Sequence, residues 1–197
     1  DGGYYDEKTR SYKYVKPKRR DMSDASQQIY APRVGEVQTI GGTVTRIDED
    51  VKSVWIKIED RKPYMILASS LSGSNRDDKT KTLRLNLSYV SPAGSIAGSR
   101  RFREQWKKYV IQTLSGELQN RKILAELNFE ERSRRFIGTL YRSVKTKNGE
   151  RAQDVNLWMV QQGLSFYFID RGKSPKDKDY LKAQQMARKS KKGVWHY

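Results

Sequence analysis

The stretch Arg134–Phe166, RRFIGTLYRSVKTKNGERAQDVNLWMVQQGLSF, decides how the chain is read. Its first part predicts a strand over Phe136–Arg142, with Ile137, Leu140 and Tyr141 as the large apolar residues. Asn148-Gly149 then sets a polar turn. A helix follows, with Asp154 as its N-cap, Val155, Trp158 and Met159 on its apolar face and Gly163 as its stop.

On the N-terminal side of this stretch, Ile123–Phe129 predicts a strand and Glu130–Arg135 a hairpin tip. Arg100–Leu114 has helical periodicity, with Phe102, Trp106, Tyr109, Val110 and Leu114 on one side and Gly116 as terminator. Leu83–Leu87 alternates as a strand should and runs into Ser88–Gly94. Further back, Val37–Ile40 and Thr43–Ile47 flank Gly41-Gly42, a bulge or turn. Asp48-Glu49-Asp50 makes a turn, and Val51–Ile58 puts Val54, Ile56 and Ile58 on one face. Pro63–Leu67 has the composition of a strand, and Ser69–Thr82 that of a polar loop. At the other end, Ser174 is the expected cap of a last helix, Pro175 its first residue, and Tyr180, Leu181, Gln184 and Ala187 its inward side; Gly193 ends it and Trp195 anchors the tail.

The run basic-aromatic-apolar-Gly, then Tyr, then Asp-Val-Asn, then apolar-Val-x-x-Gly-Leu resembles the second half of the staphylococcal-nuclease-like domain, as also found in Tudor nucleases. The stretch GGTVTRIDEDVKSVWIKI is similar to that family's opening hairpin, and the closing pattern Tyr180, Leu181, Ala187, Arg188, Gly193, Trp195 to its last helix. The resemblance covers about residues 35–195. It implies an α+β fold: a five-stranded β-barrel of OB type with three helices, over residues 34–197, with a polar insertion at about 68–82. Residues 1–33 stand outside it as a basic, aromatic arm.

Nucleases of the family hydrolyse phosphodiesters with a calcium ion held by carboxylates, a glutamate base and two arginines on the phosphate. By resemblance, Asp50 falls on a calcium-ligating aspartate, and Arg84 and Arg135 fall within one or two residues of the two arginines. Spacing back from Tyr141 puts Ile137, not Arg135, at the second arginine's place. Val90 takes the place of another metal aspartate and Ala93 that of the base. Neither can do that work, and loss of a base typically removes about 10²–10⁴ in rate. Asp48, Glu59 and Asp60 are the carboxylates available as substitutes. The sequence-level expectation is a domain without a resident cofactor whose remnant site is Asp50, Arg84 and Arg135; the alternative is an active calcium-dependent nuclease with relocated carboxylates.

Charge argues for the partner. Lys and Arg number 40 against 23 Asp and Glu, a net charge of +17. Cations of this excess suit a polyanion, because each phosphate contact releases condensed counterions. The expected contacts are Arg84, Arg132, Arg134, Arg135, Lys107 and Lys108 in the domain, and Lys16, Lys18, Arg19 and Arg20 in the arm. In the arm these cations interleave with Tyr4, Tyr5, Tyr12 and Tyr14, side chains that can stack on bases. From Arg171 onward nine Lys or Arg face only Asp177 and Asp179, so the last helix is also basic. The expected partners are nucleic acid, RNA before DNA, and other subunits of a ribonucleoprotein or similar complex met by the arm; a structural subunit on acidic protein or lipid is a further alternative. A basic chain with no cysteine that begins at Asp1 fits an organelle, the mitochondrion first. No apolar run is long enough to span a bilayer. The single histidine, His196, excludes multi-histidine zinc sites, and no GxxxxGK loop is present.

Overall fold

A computed structural model describes residues 3–6, 11–14, 21–23, 25 and 28–197. Within the expected arm, β1 (Gly3–Asp6) and β2 (Ser11–Tyr14) pair as an antiparallel hairpin. Lys16, Lys18, Arg19 and Arg20 lie outside the described residues.

The domain begins with β3 (Gln38–Ile47), which runs unbroken through Gly41-Gly42. The predicted bulge lies further on, between Val44 and Arg46. Gly42 is required by close approach: a Cβ there would stand 2.5 Å from Ile56 Cγ2 and 2.9 Å from the Lys57 carbonyl. The chain turns at Asp48–Lys52 into β4 (Ser53–Lys57). Pro63–Leu67 is not a strand but lies within α1 (Arg61–Ala68), which buries Tyr64, Leu67 and Ala68. A short apolar run fits either element, and here its i, i+3, i+4 positions face the core. The polar segment after it holds a 3₁₀ turn at Gly73–Asn75 and the two-residue β5 (Arg76–Asp77), beside β6 (Thr82–Leu87).

α2 (Arg100–Leu118) starts at Ser99, whose hydroxyl accepts from the Phe102 amide. It runs through Gly116 rather than ending there. Then β7 (Lys122–Glu130) and β8 (Arg135–Thr146) form a long hairpin. A further strand, β9 (Gly149–Asp154), pairs with the end of β8 before α3 (Val155–Gln161). α4 (Asp177–Lys189) starts later than expected: Ser174 lies before it and accepts from the Lys176 amide at 3.0 Å. Leu181 is half exposed rather than inward, whereas Tyr180, Ala183 and Ala187 are buried.

Strand order is β5-β6-β4-β3-β7-β8-β9, with a further β6–β8 pairing. That parallel pairing, Leu85–Leu87 against Phe136–Gly138, closes β3, β4, β6, β8 and β7 into a five-stranded ring. The expected barrel is therefore present, with four α-helices among the described residues rather than three. Closure depends on Gly138, which pairs with both Leu127 and Leu87, and a Cβ there would overlap the Glu126 carbonyl. Val44, Val54, Ile56, Leu83, Leu85 and Leu140 belong to the buried core, and α2 adds Trp106, Val110 and Leu114 to it. Asn156 is fully buried and pins α3 to the ring: its Oδ1 accepts from the Leu140 amide, and its Nδ2 donates to the Ser88 and Gly138 carbonyls. Among the described residues no helix is long and apolar enough to cross a membrane.

Candidate nucleic-acid interface

The turn between β3 and β4 carries the predicted metal aspartate, and its local chemistry explains its shape. Asp50 Oδ1 accepts from the Lys52 and Ser53 amides at 3.0 and 2.8 Å. Its Oδ2 accepts from the Ser53 hydroxyl at 2.7 Å and from Arg84 Nη2 at 2.6 Å. Asp48 accepts from the Asp50 amide at 3.0 Å, the Trp55 indole at 2.9 Å and Arg84 Nη2 at 3.2 Å. Burial pushes the Asp48 carboxyl up, but the Asp50 amide, the indole and the guanidinium outweigh it, so its pKa falls below the usual value. Arg84 also reaches Asn75 Oδ1 at 3.5 Å, and Asn75 Nδ2 donates to the Arg134 carbonyl at 3.2 Å.

These residues do not fit a calcium ion. Calcium takes six to eight oxygens, several of them anionic. Both oxygens of Asp50 are already bonded to protein donors, and the cation beside it is a guanidinium. Glu59 and Asp60 are exposed at the start of α1. Among the described residues no three acidic or imidazole side chains gather in a way that could hold a metal. Val90 is buried hydrocarbon, and Ala93 lies in a 3₁₀ turn.

The other predicted residues disperse. Arg135, the first residue of β8, donates from Nε to Glu130 Oε1 at 3.1 Å. Arg171 and Ser133 bond the same carboxylate. Arg134 turns away, in the left-handed region at φ 49°, and donates to the Ser70 and Leu71 carbonyls. Arg132 is exposed on the β7–β8 turn. Lys107 and Lys108 belong to α2, Lys107 standing 4.0 Å from Glu104 and Lys108 exposed.

An open groove of about 820 Å³ runs between the β6 end, the β7–β8 turn and the segment after α3. Ile137 lines it where the second arginine was sought. Lys52, Arg132, Arg135 and Arg171 face it, but so do Glu130, Glu131 and Asp170. The groove is therefore only mildly cationic. Sequence reasoning did not foresee that Arg171 and Glu130 would meet, since they lie 41 residues apart.

The model of the staphylococcal nuclease homologue family matches residues 92–197, more than half of the chain. The chain belongs to that family. The matched part holds α2 to α4, Arg135 and Arg171, whereas the Asp48–Asp50 turn and Arg84 lie N-terminal to it. Of the 29 solved chains that match, one is the extended Tudor domain of Drosophila melanogaster Tudor-SN (p100). It shows 16% identity and a TM-score of 0.43, over 88% of this chain and 80% of that one. No curated protein matches. The family relation gives the barrel and a nucleic-acid-related role.

Proposed function

We propose that the chain is a family member that binds single-stranded nucleic acid, RNA first, without hydrolysing it. One observation carries the reading. The candidate metal aspartate Asp50 and its available substitute Asp48 are paired with Arg84, at 2.6 and 3.2 Å, so the first arginine engages the carboxylates that a metal would need. A guanidinium cannot lower the pKa of a bound water as a metal ion does, nor act as a Lewis acid. What persists is a family barrel with a net charge of +17. The composition of residues 1–33 supports a place in a ribonucleoprotein or other multi-subunit complex, met through the arm.

The test is fluorescence anisotropy with labelled single-stranded RNA and DNA, run beside a cleavage assay with and without calcium. With four phosphate contacts, affinity should fall about 50-fold between 50 and 200 mM salt. The oligonucleotide should remain intact in both conditions. Calcium-dependent cleavage abolished by Arg84→Ala would overturn the reading, as would binding that ignores salt.

A further inference from the structure

A second meeting of aromatic and cationic side chains lies outside the groove. It lies where α2 meets the tail after α4. A depression of about 400 Å³ there is lined by Phe102, Trp106 and Tyr109 from α2, and by Lys191, His196 and Tyr197. None of these residues lines the groove described above.

Helix geometry explains the depression. Trp106, Val110 and Leu114 follow the i, i+4, i+8 row into the core and are buried. Tyr109, one row over, leaves the core and is 52% exposed, contrary to its predicted inward side. The Trp106 indole donates to the Pro92 carbonyl at 3.1 Å, which fixes that ring as a rigid wall. Tyr109 lies 5.6 Å from it, tilted by 31°. Tyr197 is 73% exposed and stands nearly perpendicular to its neighbours, 5.0 Å from Phe102 and 5.2 Å from His196. Two exposed tyrosine rings from different elements thus border one cleft.

The charge around it is mostly positive. Residues 186–197 carry Arg188, Lys189, Lys191 and Lys192 and no acid. Arg101 and Lys108 are exposed on α2, and Glu104 stands beside Lys107. The groove, by contrast, sets three carboxylates against four cations. Exposed rings among uncompensated cations match a strand whose bases stack while its phosphates are neutralised. A purely apolar partner would not call for this excess of positive charge.

From this placement we infer that the α2–tail depression is a base-stacking site for single-stranded nucleic acid. Tyr109 and Tyr197 offer the ring faces, and Lys191 holds a phosphate. The inference rests on the nucleic-acid reading given above but assigns the contact to a different surface.

The experiment compares the whole chain with Tyr109→Ala, Tyr197→Ala and the matching Phe variants. Each is titrated with a single-stranded oligonucleotide and with an abasic strand of equal length and charge, by anisotropy and by quenching of tryptophan fluorescence. The Ala variants should each weaken binding to the normal strand by roughly five- to hundredfold, and the Phe variants should restore it. The abasic strand should bind less tightly to the wild type and be insensitive to the tyrosine variants. Thermal melts should be unchanged, because both rings are exposed. If the wild type binds the normal strand but the Ala variants bind it equally well, or abasic and normal strands bind alike, the stacking site is refuted and the broader reading stands. If the wild type binds neither strand, both fall.

Discussion

Replacing Arg84 by Met tests the ion pair on which the functional reading rests. The substitution keeps most of the side chain's apolar stem and removes only the charge and the donors. Asp50 would keep its two amide donors and the Ser53 hydroxyl, and Asp48 the Asp50 amide and the indole. Neither would keep a cation. At separations near 3 Å and an effective dielectric constant of about 20, each contact is worth roughly 5 kcal/mol before desolvation. Most of that offsets the cost of taking the ions from water. The three side chains are 25%, 15% and 22% exposed, so solvent screens the interaction further. The expected net loss is about 2–4 kcal/mol, a fall in Tm of roughly 5–15 °C for a chain of this size.

The pH dependence fixes the sign. Asp48 has a depressed pKa in the folded state, so its contribution to stability is present above the unfolded carboxylate value of about 3.9 and is lost as pH falls through the folded one. Without Arg84, Asp48 loses the cation that helps hold its pKa down. The deficit of the variant should thus hold from pH 7 down to about 4, near the unfolded carboxylate value, and shrink as pH falls below it. Circular-dichroism melts of both proteins across this range measure it. A variant that melts within about 1 °C of the wild type at pH 7, or a deficit that grows on acidification, would refute the reasoning.

Gly138→Ala should cost about 4 kcal/mol or more, because the added methyl meets the Glu126 carbonyl in a ring bonded on both sides; a denaturant midpoint close to wild type would show that the ring can yield. Alkaline pH should destabilise the chain between about pH 10 and 12. Burial, helped by Asp154, pushes the Tyr141 phenol up to about 12; burial lowers Lys176, but Asp154 and Tyr141 outweigh it and raise its pKa. Both groups add stability below their unfolded values and lose it as pH rises through the folded ones, so Tm should drop across that window in Tyr141-containing chains and less steeply in Tyr141→Phe.

The sequence made local features legible and left the distant ones hidden. Asp154 caps α3 by accepting from the Leu157 amide, as its position before Val155 suggests, and Gly163 ends the turn in the left-handed region. These signals span three or four residues. β9 escaped because Gly149–Asp154 is a polar outer strand with no apolar alternation to reveal it. Pro63–Leu67 does not reveal α1, because five residues of mixed apolar character fit a strand and a helix equally well. Asp50 and Arg84 were both singled out from the sequence, yet their ion pair spans 34 residues and needs β4 and β6 in register, Trp55 opposite Arg84. Nothing in the spacing announces that two residues expected to serve a phosphate would serve each other.

That pairing also bears on where a ligand should sit. A metal ion leaves coordination positions for substrate oxygens, whereas a guanidinium held by two carboxylates has directed its donors inward. Arg134 is likewise taken up by carbonyls, and Arg135 and Arg171 share Glu130. The arginines sequence reasoning assigned to a phosphate are thus largely committed to the fold, and the proposed polyanion contact is left to cations with no such acid partner. Such cations include Arg101 and Lys108, exposed on α2, and Lys191, which lines the same depression as Tyr109 and Tyr197. Charge reversal makes this measurable: Lys191→Glu should weaken oligonucleotide binding more than Arg135→Glu, which removes one of the two arginines on Glu130. The opposite order would return the strand to the groove.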